Sequence, residues 1–80
     1  MEYFNINTEF FEDSRISFDA KGLLGYLRAS NPKGGESTLE SVVNKSTDDE
    51  RTVIKILREL EKHGYIELIN KNDIDKFRLV

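Results

Sequence analysis

Arg51-Thr52-Val53-Ile54-Lys55-Ile56-Leu57-Arg58-Glu59-Leu60-Glu61-Lys62-His63-Gly64 is the stretch that decides the fold. At about 100° per residue, Val53, Ile56, Leu57 and Leu60 share one side of a helix and form a stripe fit for burial. Arg51, Lys55, Arg58 and Lys62 fall within an arc of about 60° on the opposite side, with Thr52 beside them. Gly64 ends the pattern, because glycine takes the left-handed conformation that closes a helix. The helix is predicted over roughly Asp48 to His63. Ser46 or Thr47 is its expected N-cap, since a short hydroxyl side chain accepts from an unpaired first-turn N–H. Asp48, Asp49 and Glu50 then fall in the first turn, where the helix dipole favours negative charge.

Upstream, Asn44-Lys45-Ser46-Thr47 is a turn of small polar residues. Before it, Ser37-Thr38-Leu39-Glu40 fits a capping box, with Ser37 capping and Glu40 reaching back. Leu39, Val42 and Val43 give that helix a short apolar face. Ser30-Asn31-Pro32-Lys33-Gly34-Gly35 holds the single proline and breaks the chain from the preceding helix. That helix opens at Ser17-Phe18-Asp19-Ala20 with Ser17 as N-cap, and Ala20, Leu23, Leu24 and Leu27 form its stripe. Gly22 and Gly25 weaken it intrinsically and leave room for another element. Nearer the start, Phe4 and Ile6 alternate with Asn5 and Asn7 as in a strand, and Glu9-Phe10-Phe11 suits a short helix or turn. Downstream, Tyr65–Ile69 and Lys76–Val80 read as strands around the turn formers Asn70–Asp73. Phe77 and Leu79 alternate with Lys76 and Arg78, one dry face and one wet.

The predicted architecture is one α+β domain over residues 1–80. It has an N-terminal arm or strand (1–14), a three-helix core (17–63) and a C-terminal hairpin (65–80). Helix, short turn, long helix and hairpin follow in the order of a winged helix-turn-helix. In that arrangement the helix over 48–63 reads the DNA major groove and the hairpin wing touches the flanking backbone.

Composition narrows the chemistry. The chain has 80 residues, 38% apolar and 34% charged, a formal net charge of −3 and no cysteine. A disulfide scaffold, a thiolate metal site and a cysteine nucleophile are excluded. No apolar run approaches a membrane span and no secretory leader pattern opens the chain, so a cytoplasmic protein is expected. His63, the only histidine, ends a helix and has no second histidine to form a metal pair. Gly34-Gly35 lacks the lysine-serine pair of a phosphate-binding loop. Glu12-Asp13 and Glu36/Glu40 read as solvated surface, and no paired nucleophile and base can be named, so neither an enzyme nor a cofactor is expected. Phe10, Phe11, Phe18, Tyr65 and Phe77 sit at core-like positions and are assigned to packing.

The function therefore rests on the cations. Arg51, Lys55, Arg58 and Lys62 present the stripe that phosphates require, because cation contacts release condensed counterions. Arg51 or Arg58 can also fork onto a guanine edge, and Thr52 can reach phosphate or a base. Lys71, Lys76 and Arg78 add positive charge on the hairpin. A solvated helix face laced by Lys55–Glu59 and Arg58–Glu61 pairs has the same pattern. Asp48, Asp49 and Glu50 stand where such a helix first meets the groove, and their charge repels phosphate.

Ile16-Ser17-Phe18-Asp19-Ala20-Lys21-Gly22-Leu23-Leu24-Gly25-Tyr26-Leu27 resembles the opening helix of winged-helix domains in phage and plasmid replication proteins, of replisome-organiser and replication-initiator type. Arg51 through Ile66 looks like that family's recognition helix running into the wing, and Phe4 through Phe11 is similar to its N-terminal strand and short helix. The likeness covers roughly positions 4 to 69. It implies sequence-specific binding of double-stranded DNA, in replication initiation or transcription regulation, with Arg51, Thr52, Lys55 and Arg58 facing the groove and Lys71 on the wing. A homodimer is expected with it, since one module of this size buries a limited interface and half-sites paired by symmetry add affinity. A different reading is an interaction module, such as a small phage-encoded inhibitor of a host or defence protein. Residues 1–40 carry seven acids and four bases, and residues 41–80 carry eight of each. That acidic half is the surface such a protein partner would use.

Overall fold

The computed structural model describes residues 9–31 and 33–80. The strand expected at Phe4–Ile6 lies outside the described residues. Ser17 is extended, and its hydroxyl accepts from the Ala20 N–H at 3.1 Å, which opens α1 (Phe18–Ser30) as expected. Ala20, Leu24 and Leu27 are buried on its inner side, and Leu23 packs partly buried beside them. Before α1, a 3₁₀ turn at Glu9–Glu12 drives Phe10 into the core. Gly25 accommodates this turn: a Cβ there would stand 3.4 Å from the Phe11 ring, whereas Gly22 has nothing within 4 Å.

The chain then forms a strand absent from the sequence reading, β1 (Glu36–Thr38), before α2 (Leu39–Asn44). Its three residues make it invisible to a period-2 search. It corrects the capping assignment: Ser37 is held in the sheet opposite Phe77, and Thr38 caps α2 instead. The Thr38 hydroxyl accepts from the Ser41 N–H at 3.1 Å. Ser41, not Glu40, thus takes the third helical position.

α3 (Glu50–Lys62) also starts later than expected. Asp49 is its N-cap, accepting from the Thr52 N–H at 2.9 Å. Ser46 instead accepts from the Asp48 N–H at 2.9 Å and closes the preceding turn. Asp48 and Asp49 therefore precede the helix, and of the three acids only Glu50 is in its first turn. Val53, Leu57 and Leu60 are buried, and Ile56 is half-buried. At the far end Gly64 adopts φ +81°. The Tyr65 N–H reaches the Leu60 carbonyl at 2.9 Å and the Gly64 N–H the Glu61 carbonyl at 3.0 Å. This double bond pattern satisfies the last carbonyls of the helix.

β2 (Ile66–Asn70) and β3 (Asp73–Leu79) form the hairpin around Lys71-Asn72, with Asn72 at φ 69°. The turn is two residues rather than four, so β3 starts earlier than expected. The antiparallel sheet has the order β1-β3-β2. Its register shifts between Leu68 and Asn70. Strict alternation from Phe77 would leave Ile74 on the wet face with Lys76 and Arg78, yet Ile74 is buried. A shift of this kind re-aims a side chain within a strand. One core joins Phe10, Leu24, Leu27, Leu57, Leu60 and Phe77, so every layer shares it. The chain is a small α+β domain of three helices and a three-stranded antiparallel sheet, compatible with a winged-helix layout.

Two long-range ties hold α1 and its lead-in. Glu59 of α3 accepts from the Ser17 N–H at 2.6 Å and from its hydroxyl at 3.0 Å. A carboxylate from one helix thus supports the cap of another. Tyr65 donates its hydroxyl to Asp13 at 2.5 Å, and Arg15 donates to the same carboxylate at 2.7 and 2.9 Å. Those bonds, Arg15 first, hold the Asp13 carboxyl well below the usual carboxylate range. The bond to Asp13 in turn raises the Tyr65 phenol.

Candidate nucleic-acid interface

With its apolar side packed on α1 and the sheet, α3 turns Arg51, Thr52, Lys55, Arg58 and Lys62 to solvent, and all five are exposed. Arg58 bonds Glu61 at 3.3 Å, one turn on, as the spacing predicted. The pair expected between Lys55 and Glu59 does not form, because Glu59 is committed to Ser17. Among the described residues Arg51, Lys55 and Lys62 have no ion pair. Their charge remains available to an external anion.

The three hairpin cations have three different surroundings. Lys71 is exposed at the turn. Arg78 lies in register with Glu36 on one side and Glu67 on the other, and it pairs with Glu67. Lys76 opens on a groove of about 440 Å³ whose walls include Glu40, Glu50 and Asp75. The hairpin therefore adds less free positive charge than its sequence promises. The Arg78–Glu67 pair depends on the register of the hairpin, and β1 places a second carboxylate, Glu36, opposite Arg78.

Acidity concentrates at the start of α3. Asp48, Asp49 and Glu50 are all exposed there. Hydrogen bonding from Thr52, by side chain and backbone, holds the Asp49 carboxyl below its ordinary value and keeps it charged. Thr52 is thus partly engaged as donor to the cap. The helix has an acidic beginning and a basic middle and end, so approach of a polyanion is favoured at Lys55, Arg58 and Lys62 and opposed at Asp48.

A second surface was misplaced by the sequence reading. Phe18 is 86% exposed, and Phe11 and Tyr26 are 48% and 43% exposed, so Phe11 and Phe18 are not core residues. On a helical wheel Phe18 lies about 180° from the Ala20–Leu24–Leu27 stripe, a signal present in the sequence. Phe18, Leu23, Tyr26 and Ile56 line an open groove of about 530 Å³ between α1 and the α2–α3 turn.

Among the described residues no group of three or more His, Cys, Asp or Glu is placed to hold a metal, and no helix is long and apolar enough to cross a membrane. Comparison of the chain with protein-family models, curated proteins and solved structures finds no match.

Proposed function

We propose that the chain is a double-stranded DNA-binding domain of winged helix-turn-helix type, acting in the cytoplasm in replication initiation or transcription regulation. The observation that carries this reading is α3: its buried stripe faces the core while Arg51, Lys55 and Lys62 stand exposed on the other side, with no ion pair among the described residues. Such a helix lies in the major groove and its cations neutralise phosphates. Arg51 or Arg58 supplies the fork for a guanine edge, and Thr52 lies beside that arc. Lys71 extends the contact from the hairpin turn, with Lys76 and Arg78 in supporting places. No catalytic residue or cofactor belongs to this function.

Four cations that have no ion pair among the described residues, Arg51, Lys55, Lys62 and Lys71, set the expected salt dependence. Log affinity should fall against log salt with a slope of about −3 to −4. The test is selection of bound sequences from random duplex DNA, then salt titration of the winner with wild type, Arg51→Ala and Lys55→Ala. Binding that weakens in both variants, with unchanged circular dichroism, supports the reading. No shift of any duplex at low salt and micromolar protein overturns it.

The acids favour one second reading. Asp48, Asp49 and Glu50 lie on the same exposed helix start, with Glu40 and Asp75 across the adjoining groove. Such a surface suits a basic protein partner, as in a small phage-encoded inhibitor. Capture of a partner that Asp48→Asn and Asp49→Asn abolish, with no duplex binding, would select it.

A further inference from the structure

The outer side of α1 carries an uncharged exposed patch. Phe18, Gly22, Tyr26 and Ala29 are all exposed there, and none is charged. Soluble monomers seldom leave large aromatic groups together on one face, and such patches mark contact sites. The groove of about 530 Å³ lies beside them, floored by Leu23, Val42, Val53 and Ile56.

We infer that this face of α1 is a homodimer interface in which Phe18 of one copy enters the groove of the other. Knob and groove stand side by side on one surface. A two-fold rotation therefore seats each Phe18 in its partner's groove at once, the self-complementarity that a closed dimer needs. A foreign partner would need only one of the two. The rim supports the same occupant, because Asp19 and Asp48 are balanced by Lys45 on the groove and by Lys21, whose Nζ stands 5.1 Å from the Phe18 ring centre. Both signs on one rim let a surface meet its own copy without net repulsion, whereas DNA would require one sign. Gly22 and Ala29 let the two α1 helices approach closely. Ile56 lies about 140° around α3 from Arg51, so a seated copy leaves the basic face open.

Twelve residues line the groove. A standard interface uses about 20–30 a side, so the dimer is weak and depends on concentration. The inference stands apart from the DNA reading and is tested without DNA.

Sedimentation velocity over a micromolar-to-millimolar series should show a monomer–dimer equilibrium for wild type. Phe18→Glu should weaken it by about tenfold or more, the scale of a truncated anchor, and Lys62→Glu should leave it unchanged. Amide NMR shifts of wild type on dilution should cluster at Phe18, Gly22, Tyr26 and the Lys45–Asp48 turn. The mapping needs no variant, so it decides the matter even if Phe18→Glu fails to fold. Monomer at every concentration overturns the inference. So does a dimer whose dilution shifts map elsewhere, or one that a folded Phe18→Glu forms as tightly as wild type. A dimer that ignores duplex DNA refutes the DNA reading alone, and a monomer that binds DNA refutes this one alone.

Discussion

α1 and α3 are both helices of 13 residues, and they treat their outer sides in opposite ways. α3 sorts its residues sharply, with Val53, Leu57 and Leu60 inward and Arg51, Lys55, Arg58 and Lys62 outward. α1 buries Ala20, Leu24 and Leu27 and then exposes Phe18 and Tyr26 on its other side. Burial periodicity identifies the inner side of each equally well. The outer sides differ in chemistry, cations on one and aromatic rings on the other.

The largest effect should separate the two sides of α1. Leu24→Ala removes a fully buried side chain and should destabilise by about 2–5 kcal/mol in urea unfolding. Phe18→Ala at low concentration should change stability by no more than about 0.5 kcal/mol. Equal losses would break the two-sided description. The next effect separates the helices. Lys55→Glu on α3 should weaken duplex binding by about 1–3 kcal/mol, read by fluorescence anisotropy, while Lys21→Glu on α1 stays near wild type. A matching loss at Lys21 would show that long-range charge alone governs binding.

A third measurement probes the contact between them. Glu59→Ala strips the acceptor from Ser17 and should cost about 1 kcal/mol, with Lys55→Ala nearly neutral. If the two variants were equal, Glu59 would be serving Lys55 after all. Gly22→Ala should stabilise the isolated domain by about 0.5–1 kcal/mol, since nothing occupies the space around it. Gly25→Ala should gain less, because its Cβ meets the Phe11 ring.

The smallest effect is in acid. The Asp13 carboxyl is depressed in the folded chain, so its contribution is present above the ordinary carboxylate value of 3.8 and fades as pH falls below it. Thermal unfolding of wild type should therefore lose ground to Asp13→Asn below about pH 4 and hold its advantage at neutral pH. Parallel curves through that range would remove Asp13 from the account.

The elements governed by long periodic patterns were legible in the sequence. α1 with its Ser17 cap, α3 with its two faces and the hairpin strands all follow from 3.6- and 2-residue spacing and turn chemistry. What escaped depended on partners far along the chain. β1 has three residues and exists because β3 pairs with it, and its formation moved the α2 cap from Ser37 to Thr38. Ile74 is buried through a register shift that composition does not announce. On the basic face, the positions of Arg51, Thr52, Lys55, Arg58 and Lys62 were readable, but the neutralisation of Arg78 by Glu67 required the sheet. Phe18 is exposed despite its aromatic character, in keeping with its place on the wheel opposite Ala20, Leu24 and Leu27.

The ties from Glu59 to Ser17 and from Tyr65 to Asp13 span 42 and 52 residues of chain. Contacts of such separation close large loops, and they form after the local turns and the hairpin have lowered the entropy of the rest. α1 and its lead-in are thus expected to dock last and to leave first. Loosening either tie should quicken unfolding while the folding rate stays almost unchanged. The lifetime of the native chain is then set at this seam, where α1 and its lead-in meet the C-terminal end of α3.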